Sequence, residues 1–232
     1  MRTQVRHYPR RARCLSCHTT AGGLALGFNT PQMNRNVDYG SGPENQIAAL
    51  SRVGYFSSPV TNANTLRALA HPTNTAYSVD YRVHSYLTVN CAQCHQPGGT
   101  ALGGWDTRIT TPLSQSGIIN GELNNNRGDT NNRVIAPGSL EHSMKLTRTA
   151  TRGSGQMPPL DSTVLDTNAI HLLSAWITFE ILSCAGVRTL LWCLRNFGDT
   201  ILDDFRLDIR LHAHLKFSTW QRPLPPCCSS AR

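Results

Sequence analysis

The sequence predicts a mainly α protein in which a loop-rich leading segment precedes a helical body. Three observations predict it. Two stretches with apolar residues at helical spacing, 80–90 and 167–182, bracket a long run rich in Gly, Asn, Pro, Ser and Thr. Two strings of the form Cys-x-x-Cys-His, Cys14–His18 and Cys91–His95, stand in different surroundings, the first in the loop-rich part and the second at the end of a helical stretch. Hydrophobic residues make up only 39% of the 232, so helices of this size need something besides their own side chains to complete a core.

Taken in order, residues 19–80 hold mostly turn formers, with one helical candidate at Glu44–Gly54. There Ile47, Leu50 and Val53 recur at helical spacing and Gly54 offers a C-cap. The stretch 80–90 places Val83, Tyr86, Leu87 and Val89 largely on one side and runs straight into Cys91. Residues 97–138 return to loop chemistry, and 139–149 reads as a short helix. Met157-Pro158-Pro159 must be loop, because prolines remove amide donors and clash with a preceding turn. Asp166 then caps 167–182, whose Ile170, Leu173, Ile177 and Ile181 form a stripe. The chain divides into 1–79, 80–182 and a tail, 183–232, of different character.

Charge follows the same division. Residues 1–13 carry five Arg and no acid, residues 14–182 balance ten basic against ten acidic side chains, and residues 183–232 carry seven basic and four acidic ones. The net charge of +8 therefore belongs to the ends. A nucleic-acid binder would carry Lys and Arg along a face of its folded body, so no nucleic-acid partner is expected. No apolar run is long enough for a transmembrane helix.

Cys-x-x-Cys-His is the attachment sequence of c-type haem. Two thiols one helical turn apart reach the two vinyl groups of one porphyrin, and the adjacent imidazole meets the iron from the same face. With this chain's Cys and His content about 0.01 chance matches are expected, so two are not coincidence. Structural zinc is the rival, but paired zinc knuckles stand about 12–20 residues apart, and Cys14 and Cys91 are several times further. Disulfides within each pair would leave both histidines without a role. The expectation is two covalent haems, on Cys14, Cys17 and His18 and on Cys91, Cys94 and His95.

A sixth iron ligand suits pure electron transfer, and a methionine opposite histidine raises the reduction potential. Met157, in a proline loop, is the candidate at the second haem, whereas Met144 reads as core filler. Pro97 is placed to offer its carbonyl to the free ring nitrogen of His95. At the first haem Met33, beside Pro31, is named as the sixth ligand, with His7, His71 and His84 as alternatives and an open iron as another.

Taken together, CAQCHQPGG (91–99), APGSLEHS (136–143), GQMPPL (155–160) and DTNAIHLLSAWI (166–177) resemble a class I cytochrome c domain over about residues 80–182. The upstream CLSCHTTAGGLALGFNTPQMNR (14–35) looks like the first half of bacterial di-haem c-type cytochromes. The resemblance implies helices packed round covalent haem, no catalytic residues of the chain's own, and a place as the electron-accepting module of secreted dehydrogenases of the quinoprotein or sorbosone type. It also implies a periplasmic or extracellular location and a redox partner protein or fused dehydrogenase domain. The alternative is a di-haem peroxidase with one open iron. Lacking a signal peptide and a catalytic domain, the chain reads as a fragment or as one with a misassigned start.

The tail departs from the family. Its Cys184, Cys193, Cys227 and Cys228 share no spacing, and His212 and His214 are a bare metal-ligand pair. Its abrupt start after a complete helical end points to translation in a shifted frame. Translating the gene's other frames should reveal a conventional terminus near residue 183; finding none in any frame sinks that reading.

Overall fold

The computed structural model describes residues 8–160 and 162–181. What was expected of the 183–232 tail, of His7, and of His212 and His214 lies outside them.

Capping side chains set most of the helix starts. A single turn, α1 (Arg11–Cys14), brings in the first Cys string with no side-chain cap. Helix α2 (Thr30–Met33) begins where the Asn29 side chain accepts from the Gln32 amide, with proline in its first turn. Strands β1 (Asn36–Asp38) and β2 (Pro43–Asn45) pair antiparallel, with Asn36 opposite Asn45. Their connection is closed by Asp38, whose Oδ1 accepts from the amides of Gly40 and Gly42. Helix α3 (Gln46–Arg52) follows at once. It starts two residues later than the apolar spacing suggested, because Asn45 caps the amides of Ile47 and Ala48 while Glu44 is held in β2. Met33, Ile47 and Ala63 form a small core here, with Leu50, Phe56, Val60 and Leu66 packed on it.

The larger core is built on α4 (Val79–Cys91), capped by Ser78. Val83, Leu87 and Cys91 recur every four residues on one face and are buried. Against them packs α6 (Thr167–Ala175), capped by Asp166 as expected. Leu173, Trp176 and Ile177 are fully buried in the same cluster. The indole Nε1 of Trp176 donates to Asp80 at 2.5 Å, fixing the two segments along their length. From the loops between, Ile118, Val134 and Ile135 fill the cluster, tied to one another by backbone bonds such as Ile135 N to Ile118 O.

Two further expected helices differ in extent. The one at 139–149 is α only from Met144 to Thr149 (α5). The Ser143 hydroxyl accepts from the Ala136 amide and faces the Ser139 carbonyl, so 139–143 is held as a turn. The last helix is α to Ala175 and then widens to a π turn over Trp176–Glu180. Ser174 and Thr178 hydroxyls there bond to the carbonyls four residues back, at 2.9 Å each, a substitution for backbone pairing that loosens a helix.

The leading segment does not stand apart from this body. The Ala70 amide donates to Ser85 Oγ (3.0 Å) and Tyr81 OH to the Ala68 carbonyl (2.6 Å), laying residues 68–70 along α4. Among the described residues no helix is long and apolar enough to cross a membrane.

Truncating Leu173 to alanine should lower unfolding free energy by about 2–5 kcal/mol, and Asp166→Ala by about 1 kcal/mol. Urea titration followed by far-ultraviolet circular dichroism measures both; an Asp166→Ala effect exceeding that of Leu173→Ala contradicts this account of the core.

Candidate functional site

Both Cys-x-x-Cys-His strings fold into the same turn. In the first, the amides of Cys17 and His18 donate to the Cys14 carbonyl at 3.2 and 3.0 Å. In the second, those of Cys94 and His95 donate to the Cys91 carbonyl at 3.1 and 2.8 Å. At this spacing the two cysteines of a string stand about one helical turn apart, as do its first cysteine and its histidine. A glycine follows each histidine at the same offset. A Cβ on Gly22 would stand 2.7 Å from the Cys17 carbonyl oxygen, and one on Gly99 would collide with that of Cys94. The chain can fold back over each string only where no side chain intervenes.

The two turns meet. Cys17 and Cys94, the second cysteine of each string, place their sulfurs 3.8 Å apart. Thr100 donates its hydroxyl to the Ser16 carbonyl at 2.7 Å, and the Cys94 thiol faces the same oxygen at 3.6 Å. Nothing in the sequence separation foretells this contact. Cys14 is exposed, Cys17 and Cys94 are half-buried, and Cys91 is buried in the main core.

The histidines differ in their surroundings. His18 is exposed, with Nδ1 held by the Leu24 carbonyl at 2.5 Å. A carbonyl on Nδ1 fixes the ring and leaves Nε2 for a ligand, the usual arrangement around a metal-binding imidazole. His95 is half-buried and stacks on Trp105, ring centres 3.6 Å apart and planes 18° from parallel. Its Nδ1 is buried without a hydrogen-bond partner, so the Pro97 carbonyl does not take the orienting role expected of it. Trp105 holds the ring instead. Burial, reinforced by the nearby charges of Lys145 and Arg148, pushes the His95 imidazole down to about 4.

Helix α5 was not expected to touch the site. Its Lys145 is 6% exposed, donates from Nζ to Cys91 Sγ at 2.9 Å, and lies 5.9 Å from the centre of the Trp105 ring. The end of α5 also holds the Met157 loop, since the Met157 amide donates to the Arg148 carbonyl at 2.9 Å. Gln156 braces that loop from within, giving Nε2 to the Pro158 and Ser162 carbonyls and taking the Gly153 amide on Oε1. Met157 is half-buried there. Of the other methionines, Met33 is buried beside Ile47 and Ala63, and Met144 is buried at the start of α5. His84 is buried with Nε2 on the Arg108 carbonyl at 2.8 Å, and burial lowers its pKa; His71 is exposed and bonded to Thr73.

The donors present fit a covalently held porphyrin. Each turn offers two sulfurs and one imidazole in the order such attachment requires, and Cys91 of the second is buried in the cluster that holds Val83, Leu87 and Leu146. Structural zinc needs four converging donors, and among the described residues no three His, Cys, Asp or Glu side chains converge. No protein-family model, curated protein or solved structure matches the chain.

The depressed imidazole gives a sign to acid behaviour. A histidine whose folded pKa lies below its unfolded value of about 6.5 contributes stability above that value and loses it as pH falls toward the folded pKa. For His95 the window runs from about 6.5 down to about 4. In the haem-free chain, nuclear magnetic resonance titration should find His95 neutral at pH 5.5; protonation of His95 above pH 6 would contradict the site geometry.

Proposed function

We propose that this chain is a c-type cytochrome electron-transfer module carrying two covalently bound haems. The observation that carries the reading is the shared turn: two Cys-x-x-Cys-His strings with the same backbone hydrogen bonds and the same closing glycine. Cys14 and Cys17 would hold one haem with His18 on its iron, and Cys91 and Cys94 the other with His95. When bound, the haem supplies a one-electron ferric–ferrous couple. The chain's own residues bind and orient it. Trp105 fixes the His95 ring, the Leu24 carbonyl fixes that of His18, and the apolar face of α4 keeps water from Cys91.

Met157 is the proposed sixth ligand at the second haem, on a loop braced by Gln156 and hung from α5. Met33 keeps its proposal at the first, although its burial in the small core engages it in packing. The donor would be a dehydrogenase, as a separate partner or fused domain, or a quinol, and electrons would leave singly to a downstream acceptor. Because haem attachment to such strings follows export, the reading carries a periplasmic or extracellular location with it.

One observation favours a second reading, a di-haem peroxidase. His18 is exposed, and Met33, His71 and His84 are each engaged elsewhere, which favours an open position on the first iron.

Expression in a periplasm equipped for haem attachment, followed by mass measurement and a pyridine haemochrome assay, should find two haems per chain. Optical spectra should show low-spin iron with a methionine-to-iron band that Met157→Ala abolishes, with a fall in potential. A chain without covalent haem overturns both readings; one high-spin haem that turns over peroxide favours the second.

A further inference from the structure

The contact between the two strings is built around a pair of sulfurs. Cys17 Sγ and Cys94 Sγ lie 3.8 Å apart although 77 positions separate the two residues. Neighbouring backbone contacts hold the pair in register. The Thr100 hydroxyl donates to the Ser16 carbonyl at 2.7 Å, an oxygen the Cys94 thiol also faces. A Cβ on Gly22 would stand 3.2 Å from the Gln93 carbonyl oxygen, and one on Gly98 3.7 Å from the Ala21 Cβ.

The first cysteines of the strings are placed differently. Cys14 is exposed, and Cys91 is buried in the main core with its sulfur on Lys145 Nζ. Cys17 and Cys94 are half-buried, open enough for a small oxidant to reach. A disulfide needs sulfurs about 2.0 Å apart, so side-chain rotation that closes the gap by under about 2 Å completes one.

We propose that, in the haem-free chain, Cys17 and Cys94 are a redox pair that closes into a disulfide and staples the leading segment to the body. One thiolate attacks a sulfur of a low-molecular-weight disulfide, such as glutathione disulfide, and expels a thiolate. The second cysteine then attacks the cysteine sulfur of the mixed disulfide and expels the other. One sulfur–sulfur bond forms and one breaks, two electrons pass to the oxidant, and two protons leave with its two thiols. The bond spans 77 positions, and closing a long loop takes more freedom from the unfolded chain than closing a short one. The staple acts where support is weakest, since α1 buries none of its residues. One consequence rests on the di-haem reading: a sulfur in a disulfide cannot form a thioether, so one bond withholds a sulfur from both strings and one reduction returns both.

The test uses the full chain purified without haem, reduced, equilibrated with glutathione disulfide in the absence of air, alkylated and digested with trypsin. Cleavage after Arg13, Arg35, Arg82 and Arg108 puts each string in its own peptide, apart from the cysteines of 183–232. Peptide 14–35 should be bonded to peptide 83–108, and fragmentation should place the bond at Cys17 and Cys94. The same oxidation in concentrated urea should lose that species, because short loops close more readily in an unfolded chain and favour pairs within a string. In native buffer the bonded chain should have a higher urea midpoint than the reduced chain, a rise that Cys94→Ser loses and Cys14→Ser keeps. Bonds within the strings dominating the folded chain, or a cross-string bond that forms equally in urea, overturns the proposal. An unchanged midpoint in the bonded chain overturns the staple. None of these readouts involves haem, and the covalent haem count of the exported protein decides the haem reading separately.

Discussion

The apolar seam between α4 and α6 fixes the second site. Val83, Leu87 and Cys91 occupy successive turns of one face, so the first sulfur of the second string is the last member of the stripe that packs on Leu173, Trp176 and Ile177. The stripe has no freedom to rotate, because Trp176 also ties Asp80 at the opposite end of α4. Burying those side chains is worth roughly 1.5–3 kcal/mol each, and the same packing that stabilises the helix aims the sulfur. Once Cys91 is placed, its carbonyl receives the amides of Cys94 and His95, and the rest of the turn follows. A reactive group is thereby positioned by core packing rather than by a loop.

The first string has no such support of its own. Its leading turn, α1, buries none of its residues, and Cys14 is exposed. What locates it is the second string: the Ser16 carbonyl on Thr100, the Cys17 sulfur beside that of Cys94, and Gly22 passing close to the Gln93 carbonyl. The order of dependence therefore runs from the seam to the second turn and from there to the first. It explains why the two strings share one geometry although one follows a thirteen-residue helix and the other a four-residue one. Under the di-haem reading it also makes the two attachment points one unit, joined through their second cysteines.

Much of the seam was legible in the sequence. Helix α4 and the Asp166 cap of α6 followed from apolar spacing and a single acidic residue at the right place, since both depend on neighbours within a turn or two. Helix boundaries were less legible where side chains compete with the backbone. Ser143 withholds five residues from α5, Asn45 delays α3, and Ser174 and Thr178 open the last turn of α6. The turn shared by the two Cys-x-x-Cys-His strings was legible because it lies within five positions. Trp105, Lys145 and the meeting of the two strings were not, because each depends on a contact between segments far apart in sequence, and no local pattern encodes it. The carbonyl expected from Pro97 shows the same limit from the other side: proximity in sequence to His95 did not give proximity to its ring nitrogen.

Charge completes the argument. The sequence pI of about 9.3 describes a chain whose excess cations lie in residues 1–13 and 183–232, while residues 14–182 balance. Within that neutral body the cations are not distributed as on an ordinary surface. Arg52 and Arg108 pair with Glu44 and Asp106 in contacts open to solvent on the arginine side, which contribute little, whereas Lys145 is buried at the Cys91 sulfur. Under the di-haem reading, the porphyrin carboxylates would make the body as a whole mildly acidic. Partner contact through this body would then be set by its own acidic and neutral surface, and the basic ends would report nothing about which partner it meets.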